Sequence, residues 1–318
     1  MLADIVEFLV CPVCADRLAL GERALRCPAG HTFDVARQGY VSLLTGSRAP
    51  GTADSPQMVA AREAFLGAGH FDPLAEAVAE TVSAACRTAM AADGSRGEGS
   101  RGGGENGPAA GERAEGSGRS GAGRAVVADA GAGTGHYLAR VLDRLPGAAG
   151  IALDVSKHAV RRAARAHPRL GAVVADVWRP LPVASGAVDV LVNVFAPRNG
   201  PEFARILRDG GALVVVTPTS RHLHPLVERL GLLSVDDSKE RRTAESLGGH
   251  FSETGRSTHE FAMALRRDAV EAVVGMGPSA WHVDSEAMRR RIAELPETSE
   301  VTASFRISTF KPYLRSRE

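Results

Sequence analysis

Past residue 125 the chain repeats one pattern: a short apolar, valine-rich run, then a stretch whose apolar positions recur at helical spacing. The runs are Ala125 to Ala130, Gly150 to Leu153, Ala172 to Ala175, Val188 to Val194 and Ala212 to Thr217. Helical stretches lie around Tyr137 to Leu145, Lys157 to His167 and Pro201 to Leu207. Short strands alternating with helices predict a parallel sheet covered on both faces. Near the end, His259 to Leu265 and Thr302 to Phe310 read as two more strands around a helix near Asp268 to Val274. The expected architecture is therefore α/β, a doubly wound parallel sheet closed by a terminal antiparallel hairpin.

The first 45 residues are of a different kind, a small β-rich module holding Cys11, Cys14 and Cys27 within seventeen residues. Asp4 and Glu7 stand where a secretory leader would carry a basic region, and no run of about 18 apolar residues exists to span a membrane. A cytoplasmic, reducing location follows as the expectation, which favours metal over disulfide. Cys11-Pro12-Val13-Cys14 and Cys27-Pro28-Ala29-Gly30-His31 are two pairs of soft or borderline ligands, set twelve residues apart, a spacing that suits tetrahedral zinc. With all four positions filled by protein, the metal is structural. Because so small a module draws most of its folding energy from the ion, chelation is expected to unfold residues 1–45. Cys86 shares an apolar helix face with Val82, Ala85 and Ala89, which reads as a buried, inert thiol.

Residues 46–90 predict a helical connector, with Met58, Ala61 and Phe65, then Leu74, Val78 and Val82, at helical spacing, broken by Gly69 and Pro73. Residues 91–124 offer almost no large apolar side chain to offset the entropy of ordering, so a disordered glycine-rich linker is expected. Five arginines and five acids balance there, which favours a spacer over a tether. A net charge of only +1 on 318 residues excludes a broadly basic nucleic-acid binder, so any RNA surface must be local.

Asp129-Ala130-Gly131-Ala132-Gly133-Thr134-Gly135 joins the first strand of the repeat to a helix beginning His136-Tyr137. Glycines let the backbone turn sharply and approach a ligand closely. Nicotinamide-dependent proteins use similar turns, so the context must decide. Asp154 ends the second strand, placed to accept hydrogen bonds from ribose hydroxyls. Asp176, followed by Val177, ends the third; it is placed either to meet an adenine amino group or to cap a helix. The candidate cofactor set is Asp129, Gly131, Gly133, Thr134, Gly135, His136, Tyr137, Asp154, Asp176, Val177 and Asn193.

Together these residues resemble the 23S ribosomal RNA guanine-N1 methyltransferases, a family that includes the self-resistance enzymes of macrolide producers. The resemblance runs from the Cys11, Cys14, Cys27, His31 set through Gly39-Tyr40-Val41-Ser42-Leu43-Leu44 and Ala61-Arg62-Glu63-Ala64-Phe65-Leu66-Gly67-Ala68-Gly69-His70. It continues through Leu153-Asp154-Val155-Ser156-Lys157, Phe195-Ala196-Pro197, Thr217-Pro218 and Arg221-His222-Leu223 to Ala280-Trp281. It implies a Rossmann-like class I S-adenosylmethionine methyltransferase domain over residues 125–318 behind an N-terminal zinc-ribbon-like module. It also implies S-adenosylmethionine and structural Zn2+ as cofactors, 23S rRNA as partner, a homodimer, and no membrane. The implied substrate is a guanine in a hairpin loop lining the peptide exit tunnel, where a methyl group hinders macrolides. Two departures stand out: Phe195 where the family often has tyrosine, and the long insertion at 91–124.

Asn193, Phe195, Ala196 and Pro197 follow the fourth strand, at the carboxyl edge where open α/β sheets bind ligands. Phe195 is placed to stack on guanine and the carbonyls near Ala196 and Pro197 to orient its edge. Guanine N1 must lose a proton to become nucleophilic, and His222, Asp129 and His136 are the candidate bases. Arg62 and His70 between the modules, and Arg198 beside the strand, are the expected RNA contacts. Lys157, Arg161, Arg165 and Arg169 form a basic i, i+4 stripe best read as a solvated helix face. Two rivals stay open: methylation of a protein or small molecule, and a non-catalytic zinc-ribbon adaptor.

Overall fold

The computed structural model describes residues 1–46, 53–97, 124–233, 246–277 and 285–313. Strands β1 (Ala19–Leu20), β2 (Ala24–Arg26) and β3 (Thr32–Asp34) form a small antiparallel sheet. Next come β4 (Tyr40–Ser42) and helices α1 (Pro56–Gly67) and α2 (Asp72–Gly97). The repeat follows as β5 (Val126–Ala130), α3 (His136–Arg144), β6 (Ala149–Asp154), α4 (Lys157–Ala163), β7 (Leu170–Val174), β8 (Val188–Val194), α5 (Gly200–Ile206) and β9 (Leu207–Pro218). The chain ends in α6 (Leu226–Leu230), β10 (Phe251–Arg266), α7 (Arg267–Gly275), α8 (Ser285–Ala293) and β11 (Thr298–Pro312).

Eight strands make one sheet in the order β10-β11-β9-β8-β5-β6-β7-β4. Strands β4 to β9 are mutually parallel, while β11 runs antiparallel to β9 and β10 antiparallel to β11. The five central runs form as expected because they are buried on both faces; every residue of β5, β7 and β8 is buried. Strand order reverses between β5 and β8, so the crevice at their carboxyl ends is the switch point where such sheets take ligands. At the opposite end, buried Asp189 accepts the Val126 N–H at 2.6 Å and pairs with Arg208 Nε at 2.6 Å, fastening β5 to β8 and β9.

One face of the sheet is covered by α2, α3 and α4. The other is covered by α5 and, unexpectedly, by the amino terminus. No helix forms between Ala175 and Ala187, and two 3-10 turns, Leu2–Asp4 and Val6–Phe8, occupy that ground. A Cβ on Gly171 of β7 would lie 2.4 Å from Ile5 Cδ1, so the bare glycine admits the isoleucine. Ile5, Phe8, Leu9, Val41 and Leu43 share one core with Ile151, Val173, Leu181 and Val183. Val10 N donates to Pro182 O at 3.2 Å and Ala184 N to Phe8 O at 2.8 Å. The first 45 residues are thus only in part a separate module, since β4 extends the main sheet beside β7.

Three further expectations meet different outcomes. Helix α2 runs on to Gly97, into the stretch expected to be linker; residues 98–123, like Ala280-Trp281, lie outside the described residues. Helix α4 stops at Ala163, so the basic stripe does not continue. Arg169 instead caps the end of α3, its Nη1 donating to Leu145 O (2.7 Å) and Ala148 O (2.9 Å) and its Nη2 to Leu142 O. No helix among the described residues is long and apolar enough to cross a membrane.

Candidate active site and metal centre

The turn after β5 is shaped by three glycines at positive φ, Gly131 (+87°), Gly133 (+54°) and Gly135 (+80°), the last capping α3. Asp154, at the end of β6, holds the turn from the side: its Oδ2 accepts the Gly133 N–H and its Oδ1 the Ser156 N–H, each at 2.8 Å. Burial lifts the Asp154 carboxyl above the ordinary range, opposed by those two backbone donors. Asp176 is tied into its own loop, accepting the Trp178 N–H at 3.0 Å, and Val177 O accepts from Asn199 Nδ2 at 2.9 Å. Thr134 is half-buried, and Tyr137 is buried with its hydroxyl pushed upward by desolvation.

Across the crevice, Asn193 ends β8 fully buried, its Nδ2 donating to Ala130 O (2.8 Å) and Pro197 O (3.0 Å). This amide stitches the glycine turn to the segment Phe195-Ala196-Pro197. The two approach so closely that a Cβ on Gly131 would sit 2.3 Å from Ala196 Cβ. Asn193 Oδ1, Asp129 Oδ1 and His136 Nε2 are buried with no hydrogen-bond partner among the described residues. Desolvation raises Asp129 to about 8 and lowers His136. Asp129 and Asn193, beside the glycine turn, thus leave two buried oxygens for a small ligand that is itself polar and partly cationic.

Beside this crevice runs a row of aromatic rings. Phe195 takes φ +53°, which a bulky residue rarely adopts, and its ring is 38% exposed. It lies 6.5 Å from Tyr137 and 5.5 Å from Phe305 of β11, centroid to centroid. Phe305 contacts His222 at 4.5 Å and Phe71 at 5.0 Å, and Phe65 links Phe71 (4.9 Å) to His70 (4.8 Å). His222 Nδ1 accepts the Ser304 N–H at 3.4 Å. Phe305, Phe71 and the 63% exposed Trp178 had no local sequence signal. Arg198 is half-buried, its guanidinium pulled down to about 10 by desolvation. Arg62 is turned onto the glycine turn, with its Nη2 2.7 Å from Asp54 Oδ2.

In the amino-terminal ribbon, the ligating atoms of Cys11, Cys14, Cys27 and His31 all lie within 4.8 Å of one another. Cys14 Sγ is 3.6 Å from Cys27 Sγ, and His31 Nδ1 is 3.3 Å from Cys27 Sγ and 3.6 Å from Cys11 Sγ. A tetrahedron with Zn–S of about 2.3 Å and Zn–N of about 2.0 Å has edges of roughly 3.5 to 3.8 Å, so the four atoms fit one zinc ion. Positive φ at Ala15 and Gly30 folds the two knuckles, and Val13 N–H points at Cys11 Sγ (3.5 Å).

Residues 9–46 match the zinc-ribbon family described as RlmA, N-terminal, and residues 127–211 match the family described as methyltransferase domain. Fold and site together define a class I S-adenosylmethionine-dependent methyltransferase carrying a structural zinc ribbon. The chain is 48% identical, over 98% of its length and 99% of the relative's, to the 23S rRNA (guanine(748)-N(1))-methyltransferase of Streptomyces fradiae. It is 52% identical, over 97% of its length and 99% of the relative's, to a Micromonospora griseorubida protein provisionally named a 23S rRNA (guanine-N(1)-)-methyltransferase. It belongs to the 23S rRNA guanine-N1 methyltransferase family.

Two outcomes are expected. Chelating zinc should expose the knuckles between Cys11 and Asp34 to protease while Ile5, Leu9 and Val41, held in the sheet core, stay protected. Hydrogen exchange checks this, and loss of protection at Val41 would show that the whole of 1–45 depends on the metal. Because burial raises the Asp129 pKa from 3.8 unfolded to about 8 folded, its contribution to the stability of the cofactor-free protein should fall as pH rises from 3.8 to about 8 and level off above that. Asp129→Asn should abolish that slope in thermal melts; an unchanged slope would place the titration elsewhere.

Proposed function

We propose that this protein transfers a methyl group from S-adenosylmethionine to N1 of a 23S rRNA guanine in a hairpin loop lining the peptide exit tunnel. The target is the guanine equivalent to the 748 named for the Streptomyces fradiae relative. Nearly full-length identity of 48% to that protein carries the proposal, and the crevice supports it. The turn Gly131–Gly135, Asp129, Asp154 and Asn193 would hold the donor, which supplies an electrophilic methyl group when bound. The residues' work is then to align the acceptor with that methyl and exclude water.

Phe195, strained outward and backed by Phe305, offers a stacking surface for an extruded purine, a contact worth about 1–3 kcal/mol per base. Extrusion from a loop avoids the few kcal/mol, roughly, of breaking a duplex stack. As N1 gives up its proton, negative charge grows on the guanine edge. His222, packed on Phe305 at 4.5 Å, stands where it could meet that charge. Pro197 O is taken by Asn193 Nδ2, which leaves the Ala196 carbonyl to face the same edge in this scheme, and His70, Arg198 and Trp178 meet the surrounding RNA. The finer parts of the proposal are a homodimer, a cytoplasmic location and protection of the ribosome from macrolides, all following the family resemblance.

Primer extension on 23S rRNA treated with the protein and S-adenosylmethionine should stop at that guanine, because an N1 methyl blocks pairing. Phe195→Ala should lower kcat/KM by roughly 5- to 150-fold, the about 1–3 kcal/mol of a lost stack, and His222→Ala should lower kcat by about 100-fold. Label transferred to protein, with rRNA and assembled subunits unmodified, would contradict the proposal.

A further inference from the structure

Arg62 belongs to α1, yet its side chain lies across the glycine turn. Its Cδ is 3.4 Å from the place a Cβ on Gly133 would take. Nη2 is held at two points, donating to Asp54 Oδ2 at 2.7 Å and to Met276 O at 3.0 Å. Asp54 is held in turn, its carbonyl accepting from Ser156 Oγ at 2.8 Å at the start of α4. The guanidinium is therefore fixed rather than waving in solvent. Its Nε, however, is buried with no hydrogen-bond partner among the described residues. A donor so positioned calls for an acceptor that arrives from outside.

The charges of the methyl donor say which part of it that is. S-adenosylmethionine carries a sulfonium, an ammonium and one anion, the carboxylate. Asp154 and Asp54 flank the turn and would repel that carboxylate, whereas Arg62 is near enough to stabilise negative charge on both Asp154 and Tyr137. We infer that Arg62 is a cofactor-binding residue whose buried Nε–H receives the carboxylate of the donor's amino-acid end, with Asp54 as its positioning residue. The inference rests on the donor named under the proposed function and is independent of the acceptor.

Calorimetry on the zinc-loaded full chain tests it with two ligands, S-adenosylhomocysteine and its decarboxylated analogue, which differ only in the carboxylate. Arg62→Ala should weaken S-adenosylhomocysteine by roughly 10- to 100-fold, the range for a charge-assisted hydrogen bond, and leave the analogue within about twofold. Unchanged binding of the analogue also shows that the variant is folded. Arg62→Lys should keep part of the preference for the carboxylated ligand, and Arg62→Gln should lose it. Equal weakening of both ligands, or loss of 23S rRNA affinity alone, would overturn the assignment. Failure of the unaltered protein to bind either ligand would instead overturn the donor itself.

Discussion

The approach of Gly131 to Ala196 sets everything above the strand ends. A side chain on residue 131 would meet Ala196 Cβ at 2.3 Å, so the exit of β5 and the exit of β8 touch with no layer between them. Asn193 fixes that contact by spending both amide hydrogens on backbone carbonyls of the two exits. Phe195, the next residue but one, is then forced to positive φ and its ring is thrown outward. One close contact thus builds the floor of the crevice proposed to hold the donor and aims the ring proposed to stack on the acceptor. Such strain persists only where surrounding packing over-determines it, and Phe305 and Tyr137 supply that packing.

The amino-terminal ribbon depends on the same sheet from its other face. Ile5 enters the gap left by Gly171, and β4 adds to the edge beside β7. The four ligand atoms gather the knuckles, while Ile5, Leu9 and Val41 beside them are buried in the sheet core. This division keeps the ribbon at a fixed station relative to the catalytic sheet without a long rigid linker.

What was legible in the sequence was local. Each central strand announced itself by a short apolar run, and β8 matched its expected limits of Val188 and Val194 because all of it is buried. The metal set was legible because both ligand pairs are contiguous, and the glycine turn because a positive φ leaves a residue-type mark. The aromatic row was not, since Phe71, Phe195, His222 and Phe305 come from four separate parts of the chain and meet only in the tertiary fold. Arg62 was legible as a notable charge but not as a neighbour of Gly133, 71 positions later. The extent of α2 was hidden for another reason: residues after Met90 are small and polar, and a helix already nucleated by the buried Leu74, Val78 and Val82 propagates through them at little further cost.

A titration of the Gly131→Ala variant with S-adenosylhomocysteine, beside the unaltered protein, tests most directly whether this contact builds the donor site. The methyl group added at φ +87° would have to push Ala196 away. The unaltered protein should bind, and the variant should keep its zinc and a cooperative melt while showing no measurable heat of binding. Equal affinity in the two proteins would contradict it.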